Sequence, residues 1–447
     1  MDLRKYFKKY ISVVFIFALL LNVSAKAQPV EILNSGELQI ALQKLNVLGS
    51  VLYIAAHPDD ENTEALVYFS KGKKYRTAIL SLTRGDGGQN LLGSEKGVEI
   101  GIIRTQELLE GRKADKAEQF FSRAIDFGYS KTPEETFDFW GREQTLGDIV
   151  WVIRKFRPDV IISRNSGGHG HHTAATLLAP EAFKAAGDPN KYPEQLQYVQ
   201  PWQAKRIFGN SFRRSGQQGI ENTIMVNVGE YDPLLSKSYT EIAAESRSMH
   251  KTQGLGFFSV RWGTRNDYYN VLDGESAKVD IFEGIDTTWD RVPGGREVGR
   301  ILSNIINSFD PREPSKSIPQ LLAVNSELNK LDKSYWVEIK QQELYRVIQT
   351  CAGLWMEAIS ADISASPGDE IRIRTTLVNR ADYPFKIEKI DYSGISSDSD
   401  LDISLKNNEA VTIDKRLRIP EDYPISQPYW LKEEPSLGAF SISEQNL

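Results

Sequence analysis

The sequence predicts an α/β protein: a mostly parallel sheet with helices on both faces, then a helical linker and a C-terminal β-sandwich. Three observations carry that prediction. Apolar runs without polar alternation recur early, at Val51–Ala56, Thr77–Leu82 and Val160–Ser163, separated by stretches of helical period. Such runs fit strands buried on both faces, the signature of a parallel sheet covered by helices. Prolines in Asp310–Pro314 then interrupt the pattern, and beyond Gly353 the apolar period falls from 3.6 to 2.

Taken in order, the chain opens with Arg4, Lys5, Lys8 and Lys9, an apolar run from Ile11 to Val23, and Ala25-Lys26-Ala27. This is the basic, apolar and small-residue order of a secretory signal, with cleavage expected before Gln28 and an exported, periplasmic or secreted protein. The run is too short for the roughly 20 residues of a spanning helix. Removing residues 1–27 takes away five basic side chains and one acidic, moving the formal charge from -6 to -10.

Residues 28–315 are expected to form the α/β domain. Ile149, Val152, Ile153 and Phe156 recur at helical spacing, as do Val298, Ile301, Leu302 and Ile305. Residues 316–354 read as a helical linker, with Leu344, Val347, Ile348 and Cys351 on one stripe. The sole cysteine thus reads as a small buried hydrophobe and excludes an internal disulfide. In 355–447, Ile371, Ile373, Thr375 and Leu377 alternate with Arg372, Arg374 and Thr376, the pattern of a sandwich strand. About five strands are countable against the roughly seven of an Ig-like sandwich, so an incomplete last domain is expected.

The 447 residues carry 54 Lys+Arg against 60 Asp+Glu. Without a basic excess, a nucleic-acid wrapper is excluded.

Chemistry concentrates in two short motifs, which hold four of the five histidines. His57-Pro58-Asp59-Asp60-Glu61 follows the first apolar run, and His169-Gly170-His171-His172 follows the run ending at Ser163. In an open parallel sheet, ligands bind at the carboxyl ends of strands, where both motifs lie. Two imidazoles and one carboxylate make the ligand set of a catalytic zinc with an open position. His57 and Asp60 can be aimed at one point by a tight turn, and a distant histidine completes the set. One of the adjacent carboxylates is then free to act as base toward the activated water. His169 and His172 are three residues apart, so one can bind metal while the other faces the developing oxyanion.

These residues resemble the PIG-L/LmbE-like N-deacetylases. Ala56–Glu61 matches the first signature of that family in full, and the second histidine motif answers its His-x-x-His or His-x-Asp-His turn. The resemblance implies a Rossmann-like fold, one zinc ion held by His57, Asp60 and His172, Asp59 as general base and His169 as acid or electrophile. It extends to Thr83-Arg84-Gly85, implying that Arg84 contacts substrate, and to Arg104 with Glu107-Leu108, Arg157-Pro158-Asp159 and His250-Lys251-Thr252-Gln253. The implied reaction removes the N-acetyl group from an acetamido sugar or GlcNAc-containing glycoconjugate. His171 stands where Asp is commoner, which bears on how His169 is polarised; a solvent-facing or supporting place is expected for it, the alternative being that it replaces His172 as the ligand. His250 reads as a buried, hydrogen-bonded histidine as readily as a catalytic one, and Gly85-Asp86-Gly87-Gly88 as a flexible loop at the site's rim.

Other readings compete. An amidase acting on another N-acyl substrate uses the same residues. A non-haem iron enzyme also takes two histidines and a carboxylate, though on a different architecture. A glycan-binding protein would place its working surface in the sandwich.

Overall fold

The computed structural model describes residues 32–443 except 165–166, 211–222, 256–258, 393–394 and 399–400. The expected signal segment lies outside them. The chain divides into two compact units, one of residues 34–312, 319–347 and 427–447, the other of 348–426 with 313–318.

The first unit begins with α1 (Ser35–Leu45), whose start is fixed by a reciprocal capping box between Asn34 and Glu37. Then follow β1 (Ser50–Ala55), the short α2 (Thr63–Val67), β2 (Arg76–Ser81), α3 (Val98–Asp115), β3 (Glu118–Phe121), α4 (Pro133–Trp140), α5 (Arg142–Phe156), β4 (Val160–Arg164) and α6 (Gly170–Gly187). Next come β5 (Arg206–Asn210), β6 (Thr223–Asn227), the two-residue β7 (Tyr231–Asp232) and β8 (Lys237–Ser238), α7 (Tyr239–Arg247), β9 (Asn266–Gly274) and α8 (Arg296–Ser308). The main sheet runs in the order β3-β2-β1-β4-β5-β9-β6. Its first five strands are parallel, while β9 pairs antiparallel with both β5 and β6.

Every residue of β1 is buried. Leu52 and Ile54 face one core layer with Leu80, Ile153, Phe156 and Leu178. Val51 and Tyr53 face the other, with Ile79, Phe69, Ile242 and Phe282. Two-sided burial is the physical reason for the unbroken apolar runs in the sequence.

This order places the site. From β1 the chain winds outward through β2 and β3, then returns to add β4 on the opposite side of β1. The carboxyl ends of β1 and β4 therefore flank the crevice where winding reverses, the place where doubly wound sheets bind ligands. The two histidine motifs follow β1 and β4.

Two further helices, α9 (Ile318–Leu328) and α10 (Tyr335–Cys351), come next. From the sequence, 316–354 is expected to be a linker and 355–447 the sandwich. The compact grouping differs: residues 319–347 and 427–447 belong with the α/β unit. Apolar stripes explain the helices' place, since Leu321, Val324, Leu328, Val337 and Leu344 are buried, and Lys340 donates to the Lys44 carbonyl at 2.8 Å.

The second unit holds β10 (Leu354–Ser360), β11 (Glu370–Asn379), β12 (Phe385–Ile387), β13 (Ile390–Tyr392), β14 (Ser396–Asp398), β15 (Ile403–Leu405) and β16 (Ala410–Arg418). They pair as an antiparallel sheet β10-β11-β16 and the ladders β12-β15 and β13-β14, consistent with a sandwich. Along β11, Thr375 and Leu377 are buried while Arg372 and Arg374 are exposed, which is the alternation in the sequence. Cys351 is buried, and burial pushes its thiol up to about 12, so it is an inert core residue.

Candidate active site

The turn after β1 sets one half of the site. Asp59 adopts φ 87°, a left-handed conformation that costs energy in a non-glycine residue unless its surroundings hold it. Three contacts do so. Its N–H donates to Glu61 Oε2 at 2.9 Å, its carbonyl accepts from Arg247 Nη1 at 3.0 Å, and its Oδ1 accepts from Arg104 Nη2 at 3.0 Å. The same Arg104 nitrogen holds the Pro58 carbonyl at 2.6 Å.

Beneath the turn, Glu61 is 1% exposed. Its Oε1 accepts from Arg112 Nη2 and His250 Nε2, each at 3.1 Å, and Arg112 also pairs with buried Asp115 at 2.7 Å. Burial works against the Glu61 carboxylate, but His250 and Arg112 outweigh it and hold its pKa far below the usual range. His250 is thus the buried, hydrogen-bonded residue rather than a group lining the cleft.

The second half comes from the start of α6. His169 is its N-cap, and its Nδ1 accepts from the His171 N–H at 3.1 Å. That bond leaves the ring proton of the neutral tautomer on Nε2. Burial, reinforced by the imidazoles of His57 and His172, lowers the His169 pKa, so the resting ring is neutral.

The halves meet. His57 Nδ1 lies 3.1 Å from Asp60 Oδ2 and 3.1 Å from His172 Nε2, and His172 Nε2 lies 3.2 Å from Asp60 Oδ2. A tetrahedral centre with bonds of about 2.0–2.1 Å separates its ligand atoms by about 3.3 Å, so this near-equilateral triangle fits a zinc-sized cation. Burial disfavours the Asp60 carboxylate, yet hydrogen bonds to His172 and His57 bring its pKa well below normal, keeping it in the ligating form.

His57, His169 and His171 form a second converging group. Here His57 presents its other nitrogen, Nε2, to His171 Nδ1 at 2.9 Å. A neutral His57 that uses Nδ1 as a ligand carries its proton on Nε2 and donates it to His171, so this contact supports the first group. His171 is wholly buried, against Trp140 and Phe127, so a solvent-facing place is corrected. Burial drives its pKa down to about 2, and Asp126 Oδ1 lies 3.8 Å from its Nδ1.

Arg84 departs from expectation. Instead of facing a substrate it is 1% exposed, packed between the rings of Phe121 at 4.0 Å and Trp430 at 3.5 Å, and it donates to the Tyr429 hydroxyl at 2.7 Å. An aromatic sandwich takes up its cationic faces, leaving no room for a sugar. The rim loop is also more ordered than glycine content suggests. Gly85 has φ +76°, and a side chain there would collide with Arg104. Asp86 is 5% exposed with both carboxylate oxygens lacking a partner; burial, and then Asp126, raise its pKa to about 6. Asp86 and Asp126 are the acidic residues sequence reasoning missed, and their only local signal was a lone carboxylate between small or apolar neighbours. Thr252 binds Glu107 through its N–H at 2.7 Å and hydroxyl at 2.6 Å, and Asp159 pairs with Arg291 at 2.8 Å and Ser50 N at 3.0 Å. Those motif residues brace the fold.

The profile of the PIG-L family, described as GlcNAc-PI de-N-acetylase, matches residues 52–183, which include both histidine motifs. A 1D-myo-inositol 2-acetamido-2-deoxy-alpha-D-glucopyranoside deacetylase of Corynebacterium urealyticum is 31% identical over 251 residues, covering 48% of this chain and 73% of that enzyme. The chain belongs to the PIG-L family. Among PIG-L relatives, the mycothiol S-conjugate amidase of Streptomyces coelicolor is 26% identical over 263 residues, 54% of this chain and 85% of the amidase. The chain spans a smaller share, 62%, of a Frankia alni deacetylase. An N,N'-diacetylchitobiose deacetylase structure from Pyrococcus horikoshii superposes over 53% of this chain and 86% of its own, at 17% identity and a TM-score of 0.37.

Proposed function

We propose that the protein is an exported, zinc-dependent deacetylase that removes the N-acetyl group of an acetamido sugar or GlcNAc-containing glycoconjugate. The observation that carries this reading is the triangle of His57 Nδ1, Asp60 Oδ2 and His172 Nε2, with Asp59 beside it. Zinc held by those atoms supplies Lewis acidity toward the amide carbonyl and an activated water. Asp59 has one oxygen anchored by Arg104, and burial raises its pKa despite Arg104. It takes a proton from the attacking water and returns it to the departing amine. His169 donates from Nε2 to the developing oxyanion; a neutral imidazole suffices because the donor is preorganised. His171 receives the His57 proton-bearing nitrogen and fixes that ring's tautomer. Asp86, buried with both oxygens unpartnered, lies close enough to Asp126 for the two carboxylates to feel each other.

The basic, apolar and small-residue order of residues 1–27 supports export. The names of the relatives support the acetamido class, and the amidase among them keeps another N-acyl amide as a second reading. Acetate release from a panel of N-acetylated sugars and glycans, with and without chelator, tests both. The expected result is release that chelator abolishes and zinc restores. Chelator-insensitive release, or none from any acetamido sugar, overturns the proposal.

A further inference from the structure

The chain leaves the α/β unit at residue 348 and returns to it at 427. The returning segment fastens two loops beside the candidate site. At its far end, Ala439 bridges antiparallel to Ala124; the Ile125 N–H donates to the Gly438 carbonyl at 2.9 Å and the Phe440 N–H to the Arg123 carbonyl at 2.8 Å. The next residue of that loop is Asp126, which faces His171. The fit is close, since a side chain on Gly438 would run into the Phe139 backbone, and Phe440 and Ala439 are buried.

Nearer its start, the segment lays Trp430 on Arg84 and offers Tyr429 as its hydrogen-bond acceptor. Among the described residues Arg84 has no ion-pair partner, and its Nε is buried without a hydrogen bond. Asp86 is felt only through space, so this buried guanidinium relies for its contacts on the aromatic and hydroxyl groups around it. Two of its chief contacts come from this segment. Contacts then continue to the chemistry: the Gly85 carbonyl accepts from Arg104 at 3.3 Å, and Arg104 grips Asp59 at 3.0 Å.

We propose that residues 427–441 are a positioning element of the catalytic unit: docked on Arg84 and on 123–125, they hold Asp59, Asp86 and Asp126 in working register, and turnover requires them. This rests on the deacetylase reading. It also means that cutting the chain near Ser315, the boundary the sequence suggests, removes part of the catalytic unit and not only an accessory module.

The test uses the full-length protein, its Trp430→Leu, Trp430→Phe and Tyr429→Phe variants, and a form ending at Ser426. Acetate release on wild type comes first, and its absence condemns the deacetylase reading alone. With an active wild type, Trp430→Leu is expected to lower kcat at least tenfold with zinc content and cooperative melting retained. Trp430→Phe, which keeps a ring on the guanidinium, is expected to recover most of the rate, and Tyr429→Phe to lose a few-fold. Wild-type kcat in Trp430→Leu, or no recovery in Trp430→Phe, overturns the proposal. Hydrogen exchange decides independently of activity and of the folding of any one variant. The form ending at Ser426 and Trp430→Leu should lose amide protection at 122–128, the first more than the second. Unchanged protection there sinks the proposal.

Discussion

Arginine–carboxylate pairs occur in both compact units, in opposite surroundings. In the α/β unit the side chains of Arg112 and Glu61 are 6% and 0% exposed and meet under the turn that carries His57, Asp59 and Asp60. In the second unit Arg374 and Asp414 join β11 to β16 with side chains 56% and 47% exposed. Water can replace either partner of the outer pair, so its loss costs little. No water replaces a partner of the inner one, so removing Glu61 leaves Arg112 in the interior with Asp115 alone. The unit with the chemistry uses buried charge to set geometry, fixing a left-handed Asp59, while among the described residues of the β unit the ion pairs lie on the surface.

Substitutions in the two units should differ in effect accordingly. The largest effect is expected at the site. Asp60→Asn should lose the metal, read by elemental analysis, and with it all acetate release. Asp59→Asn should keep the metal and lose kcat by about 10²–10⁴-fold, the range of a general base. The opposite pattern would exchange the two roles.

Next in size is the support. Glu61→Gln should cost about 1–3 kcal/mol in denaturant unfolding, because Arg112 and His250 lose a buried anionic partner while Asp115 still holds Arg112. A cost as small as that of a surface pair would erase the contrast between the units.

Asp86 sharpens it through pH. Its folded pKa, about 6 against the ordinary 3.8, means the native state holds the proton more tightly than the unfolded chain. Stability therefore falls as pH rises through that window, by about 3 kcal/mol for about two units. Asp86→Asn should match wild type near pH 3 and exceed it by about 3 kcal/mol at pH 7, by chemical unfolding at both values. A wild-type-like pH slope in the variant would assign the loss to another group. The smallest effect belongs to the outer pair: Arg374→Ala should leave the melting temperature unchanged, and a clear drop would show that the β unit too relies on its charges.

Much of this was legible in the chain. The apolar run of β1 with His57–Glu61 directly behind it, and β4 with His169–His172 behind it, gave strand, strand end and ligand chemistry together. Period and residue type are local properties, and these motifs are local. Cys351 was legible for the same reason, as one position on an apolar helical stripe.

Other features had no local trace. The neighbours of β1 in the sheet, and hence the meeting of the two motifs, depend on which way each crossover winds. The resemblance implied that Arg84 contacts substrate, and nothing near it in sequence reveals what covers it; its hydroxyl partner, Tyr429, is 345 positions away. For His171 the choice between a solvent-facing and a supporting place stayed open, because its helical neighbours do not reveal Phe127 and Trp140. The chain by itself determined which side chains carry the chemistry and which strand ends bear them, because periodicity and donor type are written over a few residues. Tertiary structure alone decided which of them are buried, which are clamped and which face the cleft, because those outcomes depend on surfaces that distant segments bring together only after folding.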